Sequence, residues 1–286
     1  MIKKLTLITI LLFLFNLSLF PLITVTNGFL GDGYYKELFN DLFYAVKYND
    51  IKEITNSLKW IGEDLNNIVR VIEGAYGMVG SRFQTVEQTP LTYAIECDNI
   101  KSIDTLLKLG ADIDKTILWH DDEITLTPLM FSIIEKHYEA ASFLIKKGAN
   151  IMAKNNKGIT ALMYACMDKS IHHYMEYDIL NPDIVKSFIN SGMNIKDINE
   201  VDNEDNTALL YAIYTYRWAV LDVKNSDYSY YYNDKDELPT FEVIKLLIDN
   251  GANVNVRNKY RDTPLSLSKE LPELTKLLKD KGAYLE

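Results

Sequence analysis

The sequence predicts an all-α solenoid of about six stacked helix-turn-helix units, joined by short finger hairpins and carrying long insertions. Three observations predict it. First, a two-ended motif recurs along the chain, opening on Thr-Pro-Leu or Thr-Ala-Leu and closing on Gly with a turn-forming run. Second, its best-formed copy runs from Thr127 to Ile159, and the next opens at Thr160, 33 residues on. Third, that copy holds two short apolar stripes. Leu129, Phe131, Ile133 and Ile134 make one, and Ala140, Phe143, Leu144 and Ile145 make the other. Neither helix could bury its stripe alone, so each unit needs a neighbour. A hydrophobic content of 48% supports a packed chain over a disordered one.

Before the repeats, Lys3 and Lys4 precede an almost wholly apolar run from Leu5 to Phe20, ended by Pro21. Thr24 and Thr26 place small residues at −3 and −1, so residues 1–26 read as a secretory signal peptide cleaved near Thr26 or Gly28. The expected location is exported, periplasmic or secreted. The run is shorter than the ~20 residues of a usual membrane span. An uncleaved anchor at residues 5–20, tethering a membrane scaffold, is the alternative. Residues 27–39 read as a lead-in and residues 40–286 as the repeat domain.

Each part of a copy has a physical job. Thr127 suits a helix N-cap and Pro128 the N1 position, where a missing N–H costs nothing. Gly148 sits where the second helix should end in a left-handed residue, and Asn155, Asn156 and Gly158 read as a turn into the next Thr. The openings are Asn40 in a degenerate first copy, then Thr89, Thr127, Thr160, Thr207 and Thr263. The closings begin at Gly62, Gly110, Gly148, Gly192, Gly251 and Gly282. Steps longer than the period mark insertions. Asn67 to Gln88, with Gly74, Gly77 and Gly80, reads as a mobile or irregular finger loop, and Lys115 to Leu126 as a second long finger. Met167 to Asn181 and Tyr214 to Thr240 read as insertions between the helices of the fourth and fifth units.

These copies resemble the ankyrin repeat, whose pattern is roughly Asp-x-x-Gly-x-Thr-Pro-Leu-x-x-Ala, two helices, then Gly-Ala-Asp/Asn-Val-Asn. The resemblance covers Asn40 to Glu286. It departs from the family where a His often follows Thr-Pro-Leu and bonds between repeats. Here Phe43, Thr92, Met130, Met163, Leu210 and Ser266 hold that place, so that polar link is missing. The resemblance implies a non-enzymatic protein-binding module that contacts its partner through finger loops and first-helix ends. Carried across, the helix-end contacts are Lys47, Tyr48, Glu96, Glu135, Asp168 and Tyr214. The finger contacts are Glu123, Ile124, Asn156, Lys157, Asn203, Glu204, Lys259 and Tyr260. Trp119 and His120 join them as finger residues, with Trp119 either an exposed anchor or folded back under its own loop. This acidic and aromatic mix favours a protein partner with basic side chains.

The formal charge of −10, or −12 once Lys3 and Lys4 are removed, argues against a nucleic-acid surface. Tyr228, Tyr230, Tyr231 and Tyr232 could recognise a partner or simply cover helix flanks, and covering is the plainer reading. His120 with Asp121, Asp122 and Glu123, and His172 with Glu176, have ligand chemistry but not a three- or four-ligand pattern, so no metal or cofactor is expected. No nucleophile elbow, phosphate loop or His-Glu-x-x-His occurs, and an enzyme working through the insertions is the remote alternative. Cys97 and Cys166 fall on first helices of different units and read as buried thiols. A monomer is expected.

Overall fold

The computed structural model describes residues 23–25, 33–61, 65–74, 84–119, 124–167, 180–221 and 238–284. Within them, helices pair along the chain as the periodicity requires. The first unit is α1 (Gly33–Tyr48) with α2 (Ile51–Ile61), and the second is α3 (Pro90–Glu96) with α4 (Ile100–Lys108). The third is α5 (Pro128–Ile134) with α6 (Tyr138–Lys146). The fourth is α7 (Ala161–Ala165) with α8 (Pro182–Asn190), followed by the short α9 (Ile195–Ile198). The fifth is α10 (Ala208–Leu221) with α11 (Pro239–Asp249), and the sixth is α12 (Pro264–Leu267) with α13 (Pro272–Asp280). First helices stack on first helices from α1 to α12, and second helices on second helices from α4 to α11. The core is one continuous cluster along the stack, from Leu42 and Phe43 to Leu274 and Leu278.

The opening Thr works as its chemistry predicts. Thr89, Thr127, Thr160 and Thr263 each accept an N–H from the residue three places on, closing the first helical turn. Second helices end in left-handed glycines at 110, 148, 192, 251 and 282, with φ between 88° and 98°. Cys166 is fully buried, and burial pushes its thiol pKa up, whereas Cys97 ends α3 half-exposed.

Three expectations about local structure need correction. The lead-in does not stop at Asn40: α1 starts at Gly33 and runs through it, because Tyr34 to Phe39 contain no Pro or Gly to end a helix. Asn67 to Gln88 is not an irregular loop along its length. Ile68–Gly74 (β2) and Gln84–Gln88 (β3) form an antiparallel hairpin, with Arg70 opposite Gln88 and Gly74 opposite Gln84. The run Ile68, Val69, Val71 and Ile72 is β-branched, a stronger signal than the glycines beyond it. Finally, Tyr214 to Leu221 belongs to α10 and not to an insertion, since the apolar run continues uninterrupted through Trp218 and Val220.

The second long finger is also a hairpin, Ile117–Trp119 (β4) with Ile124–Leu126 (β5), and Ile23–Val25 (β1) lies parallel to β2. The helical solenoid therefore carries a five-stranded sheet in the order β1-β2-β3-β4-β5 along its finger edge. Beyond β5 the finger row continues without strands. Asn156 exchanges two 3.2 Å hydrogen bonds with Thr125, Asn203 N–H donates to the Lys157 carbonyl at 3.1 Å, and Lys259 N–H donates to the Glu204 carbonyl at 3.1 Å.

Fingers this close leave no room at Gly158, where a Cβ would lie 2.7 Å from Asn203 Oδ1 and 2.9 Å from Asn203 N. Gly148 has a left-handed φ but open space, and at Gly251 a Cβ would meet the movable Ile195 side chain at 2.9 Å. Gly148→Ala should therefore cost about 1 kcal/mol of backbone strain in a urea melt, Gly251→Ala somewhat more, and Gly158→Ala the most, ~2 kcal/mol or above. Equal losses at all three would show that the fingers of the fourth and fifth units are not packed together.

Candidate partner-binding face

The residues that could meet a partner lie where first helices end and fingers begin. At the N-terminal end, Tyr48 is 60% exposed and Tyr44 66% exposed, with ring centroids 4.6 Å apart. Lys47 Nζ lies 5.8 Å from the Tyr48 ring centre. The backbone beneath them is fixed, because Asn99 Nδ2 of the next unit donates to the Lys47 carbonyl at 2.8 Å. Tyr44 is absent from the contact set read from the sequence. Its signal was the i,i+4 spacing to Tyr48 on a helix.

Glu96 and Glu135 are exposed at the ends of α3 and α5, and Glu96 accepts a hydrogen bond from Gln88 Nε2 in β3. In the fingers, Lys157, Asn203, Glu204, Lys259 and Tyr260 have exposed side chains, and the backbones of the first four are hydrogen-bonded. Lys259 reaches back to the Asn203 carbonyl, and the Glu204 charge beside Tyr260 raises its phenol pKa. Asp205 and Arg261 hold left-handed φ values of 61° and 68° at the place Gly158 fills one finger earlier.

Two expected contact residues do not serve as free anchors. Trp119 folds back, its ring edge-to-face on the buried Phe131 at 5.1 Å, so the inward reading of that side chain holds. Tyr214 is half-buried in α10, and its hydroxyl donates to Asp262 Oδ2 at 2.7 Å while accepting from Asn258 Nδ2 at 2.9 Å. His120, Glu123, Asp168, His172, Glu176 and the cluster from Tyr228 to Tyr232 lie outside the described residues, as does the stretch 1–22. Among the described residues no group of three His, Cys, Asp or Glu is arranged to hold a metal ion, and no helix is long and apolar enough to cross a membrane.

Tyr214 belongs to a largely buried polar network along the last three fingers. Asn155 Nδ2 donates to the Tyr164 hydroxyl at 2.8 Å. The Tyr211 hydroxyl donates to Asp202 Oδ2, whose other oxygen accepts the N–H groups of Glu204 and Asn206 at 2.8 Å. Asn258 Nδ2 donates to Asn206 Oδ1 at 2.8 Å and so joins the last two fingers. Burial pushes the Tyr164 phenol up to about 12. Burial, then the facing carboxylates Asp202 and Asp262, hold Tyr211 and Tyr214 higher still. These phenols are neutral in the folded chain, Tyr211 and Tyr214 as donors and Tyr164 as an acceptor, and ionise near 10 when unfolded. Their contribution is therefore complete below about pH 10 and is lost as pH rises through the folded values. Stability in a urea melt should stay flat up to about pH 10 on this account, then fall steeply toward 12, with a shallower fall in Tyr211→Phe. Ionisation of all the tyrosines near 10 by ultraviolet absorbance, with the fold intact, would contradict it.

A family profile described as ankyrin repeats (three copies) matches residues 42–154 and 115–177. A putative ankyrin repeat protein of Fowlpox virus is 34% identical over 76 residues, which are 27% of this chain and only 24% of the viral protein. Among solved structures, an ankyrin repeat domain from Acinetobacter baumannii AYE is 23% identical with a TM-score of 0.54, covering 85% of this chain and 98% of that one. A second is a chain in the structure of the Bd0816 predatory endopeptidase from Bdellovibrio bacteriovorus in complex with immunity protein Bd3460. It is 22% identical with a TM-score of 0.51, covering 84% of this chain and 97% of that one. Ankyrin repeats are in general protein-protein interaction modules and non-enzymatic scaffolds. With its capped Thr openings, left-handed glycine closings and stacked helix pairs, the chain folds as an ankyrin-repeat solenoid, and its residues 42–177 match the ankyrin-repeat profile.

Proposed function

We propose that this chain is an exported, non-enzymatic module that binds one protein partner across its finger tips and first-helix ends. The observation that carries the reading is the contrast between fixed backbone and exposed side chain along that face. The carbonyls of Lys47, Lys157, Asn203 and Glu204 are each held by a neighbouring unit, while Tyr48 and Tyr260 are 60% and 66% exposed above them. A surface ordered before binding loses little entropy on association, and tyrosines supply large contact area. One fold neighbour comes from a protein complex, which agrees with a binding role. The acidic balance of the chain and the carboxylates of Glu96, Glu135 and Glu204 suit a partner with basic side chains. Export rests on the basic-then-apolar segment at Lys3 to Phe20.

Photo-crosslinkers placed at Tyr48, Tyr260 and, as a control, at Lys146 on α6 test this in the native compartment. The first two should capture the same partner and the third should not. With that partner purified, Tyr48→Ala and Tyr260→Ala should each weaken binding by about tenfold, with unchanged melting curves. Capture from Lys146 alone, or unchanged affinity in both variants, would refute the assigned face. N-terminal sequencing of the product tests export separately, and an intact Met1 would refute it.

A further inference from the structure

The finger row begins with a strand that does not belong to any repeat. In β1, Ile23, Thr24 and Val25 pair in parallel with Ile68, Val69 and Arg70 of β2. β3 occupies the other edge of β2 through five paired residues. The two ladders overlap only at Arg70, where both edges of β2 are filled; Ile68 and Val69 are paired by the segment from the far N-terminus. That segment is Ile-Thr-Val, three β-branched residues in a row, and a strand joins a sheet edge chiefly through backbone N–H and C=O groups.

The same segment holds Thr24, the −3 position of the expected processing site, and ends one residue before its −1 position. Cleavage after Thr26 or Gly28 cuts the covalent link between β1 and α1. Three residue pairs are too few to hold a detached strand, so cleavage leaves the Ile68–Arg70 edge with unpaired backbone groups. An open edge is a template for another extended chain. We propose that the edge of β2 at Ile68–Arg70 is a strand-acceptor site. In the uncut chain β1 fills it, and after processing an extended, β-branched segment of a partner protein fills it, parallel to β2. The site adds a backbone-mediated contact to the finger row and is tested without knowing that partner.

The uncut chain is compared with Thr24→Pro and Val25→Pro. Proline has no N–H to give a ladder, and neighbouring residues of a strand point their N–H groups to opposite edges, so one of the two variants removes a bond to β2. Amide hydrogen exchange at Ile68–Arg70 should rise at least about tenfold in one variant while α5 keeps its protection. A synthetic peptide of residues 21–28 added in excess should restore protection, and the same peptide with proline at position 24 or 25 should not. Unchanged exchange in both variants, or no restoration by the unmodified peptide, overturns the acceptor site. As a measurement that needs no proline, the processed product should bind the labelled peptide in fluorescence anisotropy and the uncut chain should not. Equal binding by both overturns the proposal. Dimerisation of the processed product through this edge, seen by sedimentation, overturns the commitment to a partner segment. A mature product that keeps residues 23–25 overturns the processing step alone, because the peptide result still reports on the edge.

Discussion

Stacking in this array depends on one small interaction repeated at the closing turns. Asn66 Nδ2 donates to the Gly110 carbonyl at 3.1 Å, and its Oδ1 accepts the Asp112 N–H at 2.6 Å. Asn199 does the same to Gly251 and Asn253, at 2.9 and 2.7 Å, and Asn255 to Gly282 and Tyr284, at 3.1 and 3.0 Å. The glycine carbonyl is among the groups a helix end leaves unpaired, and the amide meets that need from the unit before. Asp114 has no donor and makes only the accepting half, from Asn150 N–H at 2.9 Å. Met152 stands at the corresponding place of the third unit and can make neither bond.

Around these clamps the seams are filled by complementary means. Apolar helix faces supply the bulk of the burial, since Leu106, Leu144, Phe188 and Leu247 are each fully covered only because a neighbour is present. Side chains also tie neighbouring units together: Ser102 donates to the Val46 carbonyl, Thr215 to that of Cys166, and Arg217 to that of Leu267. On the finger side the clamp's role passes to the sheet and then to the Asn and Tyr network of the last three fingers. The proposed binding face is thus built on backbone that three kinds of seam hold still, and its exposed side chains are not asked to hold the fold.

The repeat register was legible because capping and left-handed turns demand particular residues. Thr127 with Pro128, and Gly148, could be placed from sequence, and the structure has them where they were expected. The fingers were less legible. Glycines at 74, 77 and 80 suggested irregularity, whereas the pairing of Ile68–Gly74 depends on a strand ten residues further on, which no local pattern announces. The site divided along similar lines. Tyr48 and Tyr260 remain largely exposed, but Trp119 turned inward because Phe131 offered a ring to cover it. Tyr214 was spent on Asn258 and Asp262, partners 44 and 48 residues away. The closing asparagines were visible in the motif, yet Asn199 was not. The turn of α9 shifts the clamp three residues beyond Lys196, which holds the usual place, and only the fold shows the replacement.

The claim that closing-turn amides hold the stack is tested most directly at Asn199. Asn199→Ala removes both bonds to the fifth unit, whereas Asn199→Asp keeps the acceptor and loses the donor. In urea denaturation the account predicts a loss of about 1–3 kcal/mol for alanine and a smaller loss for aspartate, with earlier amide exchange confined to the seam between the fourth and fifth units. Unchanged midpoints and unchanged exchange at Asn253 in both variants would show that apolar stacking alone sets the register and that the clamp is incidental.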